Sequence, residues 1–243
     1  MKLISWNCNC AFRNKHHLLP PADILVIAES ESPEFLQKHK AFLPYKTHLW
    51  VGKRAHKGLS IFASAGWSAE IAEFYNEEFK YIVPVRIASE KAQFLLWAVW
   101  TQADGNDSYN GYIVMAARAM LHYRPYLQED SLIAGDFNSN ACWNGHFKQE
   151  YNHEQLVCLL SAKGLHSVYH DLSGCEHGAE KEATIFMYKD KNKPYYIDYV
   201  FAHEKRLRRQ HGFEIGKYGD WIKYSDHMPL FVEFTDWGEN DDF

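Results

Sequence analysis

Six places in the chain hold oxygen- or nitrogen-bearing side chains directly after, within or before an apolar run. The run SLIA is followed by Gly135, Asp136, Phe137 and Asn138, so an acid and an amide lie two residues apart. Strand alternation would point that pair to the same side. KLISW runs into Asn7 and Asn9, DILVIA into Glu29, and LLWAV into Trp100, Thr101 and Gln102. Asp198 lies inside YIDYVF, and Asp226 and His227 immediately precede PLFVEF. Carboxylates, amides and a histidine collected on one rim are what a hard divalent cation and a phosphate group require. Each residue also has an ordinary role open to it. Asn7 and Asp136 suit turns, Glu29 a solvated approach to a helix, Asp226 a cap, and His227 a satisfied core histidine. Their joint recurrence at strand ends is the feature those separate roles do not explain.

The elements that must position these groups read mostly as strands. Apolar runs rich in β-branched and aromatic residues occur at 2–6, 23–29, 58–63, 81–87, 94–101, 131–137, 183–188, 196–202 and 229–234. Ser32-Pro33-Glu34 reads as an N-cap with proline at the first helical position, opening a short helix to about His39. Ile113, Ala116, Ala117, Met120 and Leu121 repeat at helical spacing within 111–127. Asn152 with Gln155 resembles a capping box, and Gly164 suits the end of that helix. Many strands with a few helices between them predict two packed sheets with helices outside, an α/β (α+β) arrangement.

Composition narrows the field. The chain has 243 residues and no linker-like tract or repeat, so one domain over 1–238 with an acidic tail at 239–243 is expected. The net charge of −5 excludes binding nucleic acid by bulk electrostatics, so any such contact must be local. MKLISWNCN lacks the basic flank and apolar core of a signal peptide, and no run reaches membrane length. Five scattered cysteines, with Cys8 and Cys10 the closest pair, predict reduced thiols in a cytoplasmic monomer rather than a cysteine zinc site.

Taken in order, SWNCN, the glutamate of VIAES, GDFNSN, YIDYVFA and SDHMPL resemble the signature blocks of the endonuclease/exonuclease/phosphatase superfamily. The resemblance runs from residue 4 to about 234. It implies a DNase I-like four-layer sandwich of two packed, mainly antiparallel sheets, and hydrolysis of phosphoesters with Mg²⁺, for which Mn²⁺ can substitute. It also implies roles. Glu29 is the principal metal carboxylate, with Asn9 and Asp226 nearby. Asp136 orients and deprotonates the attacking water, Asn138 and Asn7 hold the reacting groups in register, and His227, oriented by Asp198, donates to a phosphate oxygen. Two positions depart from the pattern: Trp100 stands where many relatives carry His or Tyr, and Asn9 where they often carry an acid.

The substrate is expected to be nucleic acid, with a small-molecule or lipid-headgroup phosphoester as the alternative. Basic clusters lie at 53–57, 189–193 and 204–210. In relatives the loop before the strand at 58–63 lies on the substrate side, which makes His56 and Lys57, together with Trp100, the expected substrate contacts. The stretch KDKNK reads as a hairpin rising just before the Asp198 strand.

Overall fold

A computed structural model describes residues 1–103, 111–146, 149–209, 211–235 and 237; the expected tail at 239–243 lies outside the described residues. The strands in chain order begin with β1 (Lys2–Asn7), β2 (Ile24–Ser30), β3 (Thr47–Arg54), β4 (Lys57–Ala63) and β5 (Ser68–Ile71). Next come β6 (Ile82–Ala88), β7 (Gln93–Trp100), β8 (Ser131–Asp136), β9 (Leu165–Ser167) and the short β10 (Ile185–Phe186) and β11 (Pro194–Tyr195). The series closes with β12 (Asp198–His203), β13 (His211–Ile215) and β14 (Leu230–Phe234). The helices are α1 (Pro33–Lys38), α2 (Ile113–His122), α3 (His153–Ser161), α4 (Val168–Ser173), α5 (Glu204–Leu207) and α6 (Tyr218–Trp221).

Two six-stranded sheets follow, ordered β13-β14-β1-β2-β4-β3 and β5-β6-β7-β8-β12-β9. Each has one parallel pair near its centre, β1 with β2 and β7 with β8, and is otherwise antiparallel. The facing sides share one apolar core, in which Val26, Ile61 and Leu230 of one sheet meet Val85, Leu96 and Val200 of the other. A second cluster joins the outer face of the β5–β9 sheet to α2, α3 and α4. Over the outer face of the β1 sheet, short 3₁₀ turns from Phe12 to Leu18 and α6 replace long helices, and Trp6, Phe12 and Phe62 pack beneath them. This is the expected sandwich of two sheets flanked by helices, with one thin outer layer.

The helix signals are realised closely. Ser32 Oγ accepts from Phe35 N, and Asn152 Oδ1 accepts from Gln155 N. Three expectations change. The helix expected within 111–127 ends at His122, and a 3₁₀ turn at Arg124–Tyr126 follows, because Pro125 has no N–H to continue it. The strand expected at 183–188 reduces to Ile185–Phe186, one arm of a small hairpin with Pro194–Tyr195, after which Tyr188 and Lys189 turn with positive φ. KDKNK forms the loop of that hairpin, as expected. The strand expected to start at Tyr196 starts at Asp198, since the Ile197 and Asp198 N–H groups both donate to Thr184 Oγ1. Strands β3, β5, β9 and β13 carried no apolar run to reveal them. They are short, edge or half-exposed segments whose pairing comes from neighbours.

Candidate active site

The strand ends of both sheets meet. Asp136 ends β8 and is in register with Trp100 of β7 on one side and Asp198 of β12 on the other. Asn7 ends β1, and its Nδ2 donates to Asp136 Oδ2 at 2.9 Å, which ties the two sheets together at this point. Gly135 makes the approach possible. Its φ is 148°, and a Cβ there would stand 1.8 Å from the Val99 carbonyl oxygen.

Asp136 is enclosed and well held. Asn138 gives it two hydrogen bonds, N to Oδ1 at 2.8 Å and Nδ2 to Oδ2 at 2.9 Å, so acid and amide do face the same way. The reason is a left-handed turn at Asn138 (φ 45°) rather than strand alternation, because the strand has already ended. Asn138 Nδ2 is also 3.1 Å from the Thr101 carbonyl oxygen, while Thr101 Oγ1 donates to the Phe137 carbonyl oxygen.

His227 faces Asp136 across a narrow gap. Its Nδ1 is 2.9 Å from Asp198 Oδ2, and its Nε2 is 3.9 Å from Asp136 Oδ2. Asn7 Nδ2 reaches the same Nε2 at 3.5 Å. Ser225 braces both elements, because its Oγ donates to the Asn7 carbonyl oxygen and accepts from His227 N. Trp6 Nε1 adds a bond to the His227 carbonyl oxygen. Burial pushes the Asp136 carboxyl up to about 7, against the pull of His227 and with a further push from Asp198. Burial alone would lower His227, but Asp198 and Asp136 outweigh it and raise the imidazole to about 10. The site is thus an imidazolium clamped between two buried acids. Such an arrangement can take a proton at Asp136 and stabilise negative charge at His227 Nε2.

The expected metal residues form a half-exposed rim beside this pocket. Asn9 Nδ2 donates to Asp226 Oδ1 at 3.3 Å, and Cys10 Sγ is 3.7 Å from Glu29 Oε2. Glu29 sits at a bulge with φ 61°, which turns its carboxylate out of the strand. Lys15 pins the adjoining left-handed loop, donating to the Cys8, Asn9 and Tyr224 carbonyl oxygens. Two places could therefore take a cation. Asp136, Asp198 and His227 offer ligand atoms within 4.8 Å of one another, and Asp198 Oδ1 is buried without a hydrogen-bond partner. In that pocket His227 Nδ1 is bonded to Asp198, while its Nε2 stands 3.9 Å from Asp136. Glu29, Asp226 and Asn9 carry oxygen donors of the kind a hard divalent ion takes, and Glu29 Oε2 is met by Lys57 Nζ at 2.9 Å.

Of the expected substrate contacts, Lys57 reaches the site: its Nζ is 2.9 Å from Glu29 Oε2 and 5.8 Å from the centre of the Trp100 ring. Trp100 is 3% exposed and stacks on Tyr81 with ring centres 5.1 Å apart, so it forms a wall of the site. His56 is exposed and lies 6.5 Å from Phe35 of α1, away from the Asp136 network. Thr101 was noted only as a polar residue at a strand end, and Thr184 and Ser225 were not expected. Each is a hydroxyl residue beside a named site residue or pairing partner, and such neighbours carry no spacing signal of their own.

No family model and no curated protein matches the chain. Solved structures do. The chain is similar to a 3′-5′ exonuclease from Neisseria meningitidis (TM-score 0.62, 16% identity, 98% of this chain and 100% of that one). It is similar to an AP endonuclease from Archaeoglobus fulgidus (TM-score 0.63, 17% identity, 96% and 99%). It is also similar to an AP endonuclease from Leishmania major (TM-score 0.66, 10% identity, 95% and 86%). The chain therefore shares the fold of these solved structures, the DNase I-like sandwich of two packed sheets flanked by helices.

Proposed function

We propose that the protein is a divalent-metal-dependent phosphoester hydrolase, a nuclease that cleaves phosphodiester bonds of nucleic acid. One observation carries the reading: Asp136, Asn7 and His227, from three separate strand ends, aim their polar atoms at the same small volume. The 3.9 Å between Asp136 Oδ2 and His227 Nε2 exceeds a hydrogen bond and suits an oxygen atom bridging the two. Asp136 takes the proton of a water, and Asn7 and Asn138 fix the direction of its lone pairs. His227, held by Asp198, donates from Nε2 to a phosphate oxygen as charge develops. Glu29, with Asp226 and Asn9, fits Mg²⁺ or Mn²⁺, which when bound supplies charge neutralisation and Lewis-acid polarisation of the phosphoryl group. Lys57 adds a positive contact for the phosphate. The nuclease fold of the similar solved structures supports nucleic acid as the substrate class. The protein works as a monomer in the cytoplasm on this reading, and its five free thiols support a reducing compartment. No helix among the described residues is long and apolar enough to cross a membrane.

The test is a panel of DNA, RNA, abasic duplex and bis-p-nitrophenyl phosphate with Mg²⁺ or Mn²⁺ and with excess chelator. Cleavage of a nucleic acid, abolished by the chelator, is expected. Turnover of small phosphoesters alone moves the assignment to the small-molecule alternative, and silence with every metal overturns it.

A further inference from the structure

Behind the catalytic loop lies a second cluster of polar side chains that the proposed hydrolysis does not use. His170 of α4, and His177 and Glu180 in the loop that follows, each offer one ligand atom within 4.8 Å of the others. His170 Nε2 is 3.1 Å from Glu180 Oε1. The His170 and His177 rings lie face to face, with centres 3.6 Å apart and planes 11° apart. A third imidazole, His153 of α3, stands with Nε2 3.2 Å from His177 Nδ1. Three imidazoles and one carboxylate are gathered here, with the His170 and Glu180 side chains only 8% and 5% exposed.

The surroundings are arranged as they are around metal ligands. A ligating histidine nearly always has its other ring nitrogen fixed by a hydrogen bond, and a ligating carboxylate is itself hydrogen-bonded. His170 Nδ1 is 2.8 Å from Ser167 Oγ, which leaves Nε2 facing Glu180. His153 fixes the His177 ring and is itself held by Ser139 Oγ at 3.2 Å from its Nδ1. Glu180 accepts from Gly178 N at both oxygens and from Asn140 Nδ2 at 3.1 Å. For one ion to be shared, the stacked His170 and His177 rings must turn apart about their anchored nitrogens.

We propose that His170, His177 and Glu180 bind one zinc-class divalent ion, with solvent completing the coordination, and that the bound ion braces the catalytic loop. The two-histidine, one-carboxylate set with an open position is a common zinc arrangement, and imidazole nitrogens favour zinc over magnesium. The ion is thus distinct in chemistry from the one at the oxygen-lined rim. The brace is direct: Asn140 and Ser139, which hold Glu180 and His153, follow Asn138 without a break. Asn140 Nδ2 also reaches the Tyr196 carbonyl oxygen at 2.8 Å, two residues from Asp198. An ion here fastens α3, α4 and the 177–180 loop to the segment that carries Asp136.

The experiment uses the full chain, purified without a metal-affinity tag and dialysed in excess Mg²⁺ so that the rim is occupied. About one zinc per chain by mass spectrometry is expected. So are tetrahedral Co²⁺ absorption bands on cobalt substitution, and a melting temperature several degrees above that of zinc-stripped protein kept in Mg²⁺. His177→Ala and Glu180→Gln should each lose the bound zinc and the cobalt bands while keeping the far-ultraviolet circular dichroism of the parent. Glu29→Gln should keep both. Should one of the two cluster variants fail to fold, the other supplies the measurement, and the cobalt spectrum of the parent stands by itself. Protein that retains no zinc, shows no cobalt bands and melts at the same temperature with and without zinc overturns the proposal. Zinc that survives both cluster substitutions overturns it equally.

Discussion

Asp136 makes hydrogen bonds to Asn7 and to Asn138 through both oxygens, yet His227 stays 3.9 Å away. That spacing keeps the two groups from bonding each other directly, while one oxygen atom beside the pair can lie within hydrogen-bond reach of both. Asp136→Asn should lower kcat by about 10² to 10⁴, the usual scale for a positioned base, with folding preserved. Near-parental turnover of bis-p-nitrophenyl phosphate in that variant removes Asp136 from the role. Lys57 poses a different question, because its ammonium lies 2.9 Å from Glu29, the carboxylate proposed to hold the metal. A fixed cation at a ligand lowers the site's affinity for a second cation. Lys57→Met should therefore reach half-saturation at several-fold lower Mg²⁺ and show a KM for a phosphodiester raised about tenfold, since a phosphate contact is lost. An unchanged Mg²⁺ dependence counts against the competition.

At the scale of elements, the site depends on how closely β7 and β8 approach. Gly135 is paired with Val99, and its φ of 148° lies outside what side-chain-bearing residues adopt without strain. An alanine Cβ at this position would meet a backbone oxygen at 1.8 Å, so no rotamer change relieves the clash. Gly135→Ala should cost about 4 kcal/mol or more and displace Asp136 along with the strand. A thermal melt within a few degrees of the parent contradicts this account. The β10–β11 hairpin is the other element tied to the site: Ile185 forms a bridge with His227, and Phe186 N donates to the Asp226 carbonyl oxygen. Its loop of lysines lies against α6 and the residues after it, where Lys189 Nζ donates to the Lys223 carbonyl oxygen and Lys191 lies over the Tyr218 ring.

For the whole molecule, the pH dependence of stability includes a group remote from the site. His48 of β3 stacks on Phe62 with ring centres 4.2 Å apart, and its Nε2 is 2.8 Å from Ser60 Oγ. Burial lowers its imidazole to about 4, only partly opposed by Glu34. The folded protein thus holds a neutral ring that the unfolded chain protonates near pH 6.5. The resulting stability is complete above about pH 6.5 and falls as the pH drops toward 4, because the unfolded state binds the extra proton. The loss is at most about 3 kcal/mol. Denaturant midpoints between pH 7 and 4 should fall less steeply in His48→Gln, and parallel curves for the two proteins contradict the assignment.

The sequence alone determined a good deal here. Buried strands such as β2, β7 and β8 are apolar on both faces, so they stand out as runs, and the Ser32 and Asn152 caps are local and were legible for the same reason. The site residues could be named because polar groups at the ends of such runs are conspicuous and their order resembles a known family. Tertiary structure decided what no local pattern encodes. The edge strands β5, β9 and β13 are made by pairing with segments well apart in sequence, and β3 by a tight hairpin with β4, rather than by their own composition. Their half-exposed residues look like loop until a neighbour supplies hydrogen bonds. The same holds within the site. That Lys57 rests on Glu29 and that Ser225 ties Asn7 to His227 are contacts between chain segments. Such contacts depend on distances in space, which the chain acquires only when both sheets have packed.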